Sequence, residues 1–163
     1  EVEAERERLA YRSRYARVLR STIYALLVVA ADAVLLAYQE GYRHFLCGMA
    51  QGCDLYFCEA VLALRERYPE VTVEAAIPCP TQADAWPEAE RDRYRELVAR
   101  CDMETMVSDT YSSTCMQRRD RYMVDHAMLL IAAFDGTAGG TRYTVEYALR
   151  RGIEIFDVSI PTE

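Results

Sequence analysis

The sequence predicts an α/β fold, a doubly wound and mostly parallel sheet of at least five strands flanked by helices. Three observations carry that expectation. Short apolar runs alternate with longer stretches of helical periodicity, the pattern of a parallel sheet built by crossover connections. Two of the runs break at glycines and pass straight into a helix, at Gly48 and again at Gly139. The 163 residues, 52% hydrophobic and 28% charged, suit one domain with a proper core, expected to span residues 1–163.

Glu1 to Tyr15 is dense in Glu and Arg at helical spacing and reads as a solvated helix face. The apolar run Ile23 to Ala37 follows, so about residues 1–40 form a helical segment that ends near Gly41 as a C-cap. Thr22 to Tyr38 is about 17 residues long and is interrupted by Asp32, which is short for a membrane span. A mostly buried helix is the better reading, and no membrane association is expected. Residues 42–47 predict the first strand, and Asp54 to Arg67 a helix that stops before Pro69.

The β-branched run Val71 to Ile77 predicts a strand halted by Pro78 and Pro80, with a loop to Trp86. Pro87 fits the first turn of a helix running to about Arg100. Met103 to Ser108 predicts another strand, followed by the polar loop Thr110 to Ser113 and a helix over Thr114 to His126. The continuous apolar run Met128 to Phe134 predicts a central strand covered on both faces. A helix from Thr141 to Arg151, ended by Gly152, and a strand over Ile153 to Val158 complete the chain. Right-handed crossovers would gather the loops after the strands along one edge, where ligands bind in such folds.

The net charge of −7 argues against generic duplex DNA binding, although Arg118, Arg119 and Arg121 could line a local basic pocket. Six cysteines form no C-x-x-C pair, and both histidines lie outside any ligand pattern. No metal site and no cofactor are therefore expected. Cysteines that are reduced and mostly buried suit the cytoplasm. Cys53 stands apart, because a helix N-terminus beside it could lower its thiol pKa. The first residues are charged and do not read as a signal peptide, and the chain begins at Glu1 without a methionine, which leaves room for an upstream segment.

Strand–glycine–helix junctions aim backbone N–H groups and the positive end of a helix dipole at one spot, which suits a phosphate. In the first junction Gly48, Met49, Ala50 and Gly52 would present backbone, and Asp54 would either cap the helix or meet a sugar hydroxyl. In the second, Gly139 and Gly140 would present backbone while Thr141 caps the helix and donates to a phosphate, with Asp135 and Arg142 flanking. Arginines near the start of the Thr114–His126 helix either form a solvated face paired with Asp120 and Asp125 or, since they run against its dipole, are retained by an anionic ligand. Trp86 and Tyr94 either wall an aromatic base slot or pack in the core.

Four strings now become specific together: Cys47-Gly-Met-Ala-Gln-Gly-Cys-Asp54, Gln82-x-x-x-Trp86, Arg119-Asp-Arg-Tyr-Met-Val-Asp125 and Gly139-Gly-Thr-Arg-Tyr-Thr144. In order, from about Gly41 to Val158, they resemble the YpsA-like family of the SLOG (SMF/DprA and LOG) superfamily. The resemblance implies a Rossmann-like fold and a nucleotide or nucleotide derivative bound at the strand-end edge. Two features depart from the family. Its opening strand, ending in a Thr-Gly-His-Arg-like turn, is not found before the first helix. Arg119 falls where the catalytic arginine of LOG-type phosphoribohydrolases does, but their Pro-Gly-Gly-x-Gly-Thr-x-x-Glu motif is not reproduced. Thr144 stands at the glutamate's place and the nearest glutamate is Glu146, a shift of two residues that turns a helical side chain by about 200°.

The leading expectation is a nucleotide-derivative binding protein, a sensor or regulator, with Arg119 and Arg121 adding charge to the two glycine turns. The alternative is a LOG-like phosphoribohydrolase acting on a nucleoside monophosphate, with Arg119 positioning and Glu146 or Glu59 as the carboxylate. Single-stranded DNA binding, as in DprA relatives, is a third reading that the acidic charge disfavours. The apolar Ile23–Ala37 stretch offers a dimer face, so a homo-oligomer is among the expected partners beside the small-molecule ligand.

Overall fold

A computed structural model of the chain describes residues 29–133 and 139–158. Residues 29–39 form helix α1, which buries Ala33, Val34 and Ala37 along one stripe and leaves Asp32 and Leu36 outside. The helix is thus one-faced over these residues and not mostly buried, because its outer surface carries Asp32 and Gln39 toward water. The stretches Glu1–Tyr15 and Thr22–Val28 lie outside the described residues. Among those described, no helix is long and apolar enough to cross a membrane.

The elements then alternate as expected: β1 (His44–Cys47), α2 (Cys53–Arg67), β2 (Thr72–Ile77), α3 (Glu88–Arg100), β3 (Met103–Met106), α4 (Cys115–Asp125), β4 (Leu129–Ala132), α5 (Gly140–Arg151) and β5 (Glu154–Asp157). Two helices end on the same device. At Gly41 and Tyr42 the amides turn back to the carbonyls of Tyr38 and Ala37, and at Gly152 and Ile153 to those of Leu149 and Ala148. This pairing satisfies carbonyls that the helix end would otherwise orphan.

All strand pairs are parallel, but the strands form two sheets and not one. The first has the order β1-β2-β3, with Phe45 opposite Val73 and Ala75 opposite Glu104, and the second joins β4 to β5. The expected single sheet of at least five strands is corrected on this point. No ladder joins β1 to β4 among the described residues, and a cavity of about 810 Å3 is lined by every residue of both strands. The fold remains α/β, parallel and Rossmann-like.

The core lies on the three-stranded side. Leu55, Val61 and Leu62 of α2 pack with Val73, Ala75 and Ile77 of β2, all essentially without exposure. Each aliphatic side chain buried in this way contributes about 1.5–3 kcal/mol. β4 was expected to be covered on both faces, yet Leu129, Leu130 and Ile131 are only half-buried and Met128 is 78% exposed. Among the described residues β4 has a strand partner on one side only. Phe134, its expected last residue, lies outside the described part.

One buried charge sits in the first sheet. Glu74 on β2 accepts hydrogen bonds from Thr105 of β3 at 2.7 Å and from Tyr122 of α4 at 2.6 Å, and meets His44 Nε2 of β1 at 2.9 Å. Burial pushes its carboxyl up, but these three partners outweigh burial and hold it below the usual carboxylate range. All six cysteines are free thiols, four of them buried.

Candidate functional site

The turn between β1 and α2 is held from three directions. Arg119 of α4, 7% exposed, donates through Nη1 to the Gly48 carbonyl and through Nε to Asp120 Oδ1 at 2.7 Å. Gln82, from the loop after β2, donates to the Met49 carbonyl at 2.9 Å. Asp54, the second residue of α2, folds back to accept the Ala50 amide at 3.1 Å. It is therefore no N-cap; Gly52 takes that position, and no side chain caps the helix.

The two glycines of the turn are required for different reasons. A methyl group on Gly48 would stand 2.7 Å from Asp54 Oδ2 and 2.9 Å from Arg119 Nη1, so close approach demands glycine there. Gly52 has open space around it but a φ of 87°, which side chains rarely adopt. Burial raises the Asp54 carboxyl above its ordinary range, against the opposing pull of Arg119 and the Ala50 amide. Arg119 also accounts for its own place near a helix start. The Gly48 carbonyl and Asp120 retain it without any ligand.

Of the second turn, the end from Gly139 is described. Residues 134–138, with Asp135 among them, lie outside the described residues. Gly139 occupies the N-cap position of α5, again without a side-chain cap, and Gly140 opens the helix. Thr141 is consequently inside the helix and not its cap. Thr144 bonds back to the Gly140 carbonyl at 3.0 Å.

These parts meet at one end of the cavity between β1 and β4. Gly48, Ala50, Asp54 and Arg119 line it together with Gly140 and Thr141. Met49 is fully buried under the turn, while Gly52 and Gly139 face solvent.

Five expected site residues are placed elsewhere. Glu59 is held by both Nε and Nη2 of Arg93, each at 2.8 Å, on the side of α2 that faces α3. Trp86 packs edge-on against Tyr94, 5.4 Å between centroids, so it serves the core and not a base slot. Arg121 bonds the Tyr143 hydroxyl at 2.5 Å and lies over the Tyr147 ring. Arg142 and Glu146 pair with each other at 2.8 Å on the exposed flank of α5.

Cys53 does open α2, yet its thiol is pushed up and not down, by desolvation of the sulfur and then by the neighbouring Asp54 carboxylate. Two supporting residues were not among the expected site residues, Asp120 and Gln82, although the sequence reads Asp120 as a partner for the arginines of its helix. Both stood inside the strings already singled out, Asp120 after Arg119 and Gln82 four residues before Trp86, and that adjacency was the available signal.

The family model YpsA, described as the YspA SLOG family, matches residues 21–155. The chain belongs to this family. Among similar proteins, the SPbeta prophage-derived protein YoqJ of Bacillus subtilis is 28% identical over 133 residues, covering 74% of this chain and 77% of that protein. The UPF0398 protein YpsA of Bacillus subtilis is 22% identical over 132 residues, 79% of this chain and 73% of its own length. A UPF0398 protein of Halalkalibacterium halodurans is 25% identical over 121 residues, 72% of this chain and 64% of its own. Membership of the SLOG family supports a nucleotide-related function in general terms.

Proposed function

We propose that this protein binds a nucleotide or nucleotide derivative and holds its phosphate between the two glycine turns. The observation that carries the reading is convergence: Gly48 and Ala50 from one turn, and Gly140 and Thr141 from the other, line a single cavity. Both helices that start there, α2 and α5, lack a side-chain cap. Their first amides are free to donate to an anion, aided by two helix dipoles. Arg119 supplies buried positive charge at the Gly48 wall, and Asp54, which lines the cavity beside Gly48, offers a carboxylate for a ribose hydroxyl.

Binding without cleavage is the favoured form of this reading. Neither Glu146 nor Glu59 lines the cavity, and each is already paired with an arginine. A hydrolase would require a carboxylate free to reach the departing base or the attacking water, and the two that line the cavity among the described residues, Asp54 and Asp120, are engaged by the Ala50 amide and by Arg119.

The test is a thermal-shift series with AMP, ADP, cyclic AMP, NAD and ADP-ribose. A ligand at 100 times its Kd stabilises by about 2.7 kcal/mol, a shift that such a measurement resolves. Gly140→Pro sharpens it. Proline is tolerated at the first helical position but removes one amide donor, so affinity for the binding nucleotide should fall about tenfold. Unchanged affinity would remove the second turn from the site. Chromatography after incubation with AMP should show no free adenine.

A further inference from the structure

Three arginines stand in the first half of α4, and two of them are committed. Arg119 donates to the Gly48 carbonyl and to Asp120, and Arg121 donates to the Tyr143 hydroxyl. Arg118 is exposed and pairs with no carboxylate among the described residues.

The neighbouring helix fixes where Arg118 lies. α4 and α5 run parallel: Arg121 meets Tyr143 and Asp125 meets Tyr147, 22 residues apart in both pairs. The same offset sets Arg118 level with Gly140, the first residue of α5. Residues three apart on a helix share a face, so Arg118 is on the side of α4 that carries Arg121 against α5. Packed helices lie about 8–10 Å axis to axis, a gap that a long arginine side chain bridges.

The charges around the two turns single this residue out. At the first turn Arg119 stands between Asp120, at 2.7 Å, and Asp54, so its positive charge is shared with two carboxylates. A phosphate adds further negative charge to that wall. Arg142 is paired with Glu146 at 2.8 Å, and Arg121 lies over the Tyr143 and Tyr147 rings. Arg118 is left as the uncommitted cation beside the start of α5.

We propose that Arg118 is the phosphate-binding arginine of the second turn, closing over an anion held by the first amides of α5. Its side chain lies outside the cavity wall in the structure, and a rotamer change, which exposed side chains make within nanoseconds, brings it in. The inference rests on the nucleotide reading above. It gives each glycine turn an arginine of α4, Arg119 for the first and Arg118 for the second.

Phosphorus NMR line broadening of inorganic phosphate and of AMP, with the whole chain, tests it. Arg118→Gln should weaken both about five- to tenfold. Arg118→Lys should recover part of the loss, as a charge without the guanidinium fork. Arg121→Gln and Arg150→Gln remove the same charge from the same pair of helices and should each change affinity less than about twofold. Binding that Arg118→Gln leaves unchanged would overturn the proposal and leave the nucleotide reading standing. Equal weakening by all three glutamine variants would overturn it as well, since a diffuse field and not a contact would then act. If the unaltered chain broadens neither signal, both readings fall together.

Discussion

The two glycine turns look alike in sequence and differ in how they are held. The first is clamped by Arg119, Gln82 and Asp54, each from a different element, and tolerates no methyl group at Gly48. Of the second, the described part starts with a glycine N-cap at Gly139 without a side-chain cap, and among the described residues no atom stands within 4 Å of a methyl group built on Gly139 or Gly140. One wall of the candidate site is therefore preorganised, and preorganised donors bind an anion at little ordering cost.

Arg119→Met should have the largest effect. It leaves the Asp120 carboxylate buried without its partner and orphans the Gly48 carbonyl, a loss of about 3–5 kcal/mol in a urea unfolding curve. Gly48→Ala comes next, at about 1–3 kcal/mol, since the two side chains it meets are both pinned. Gln82→Ala removes the donor to the buried Met49 carbonyl and should cost about 1–2 kcal/mol by the same measurement.

Asp54 separates the turns by pH. Its carboxyl is raised in the folded chain, so its contribution to stability is full below the unfolded value of about 3.9 and is lost as pH rises through the folded one. Asp54→Asn should flatten that part of the stability–pH curve, and an unchanged slope would show that the carboxylate is not desolvated. Gly140→Ala should do least. The site is open and the residue begins a helix, so thermal melts should show a gain of about 0.4–1 kcal/mol, in contrast with Gly48.

The alternation of elements was legible in the sequence because period and punctuation are local. Pro69, Pro78 and Gly152 end elements where expected, and the turn at Gly48 joins strand to helix as its spacing implied. The division into two sheets was not, because pairing is a long-range property. Leu129 to Ala132 reads as an interior strand whatever lies beside it. The site divided on similar lines. Backbone-bearing positions such as Gly48 and Gly140 could be placed from the junction alone, whereas the long side chains could not. Glu59 and Arg121 found partners on neighbouring helices, and no feature of their own segments specifies those partners, whereas Glu146 pairs with Arg142 one turn away on its own helix.

Glu74 has a consequence for assembly. Its carboxylate gathers groups from β1, β3 and α4, and all of them meet it only when the three strands are aligned as they are. Apolar strands alone are permissive: Val, Ala and Ile can slide past one another by two residues and keep the same face buried. Such a slip would carry Glu74 about 6.6 Å from Thr105 and strand a charge among aliphatic neighbours. The misaligned sheet is thus penalised where the aligned one is not. A single acid in the middle of a greasy strand acts as a proofreading mark, read out while the chain is still choosing its neighbours.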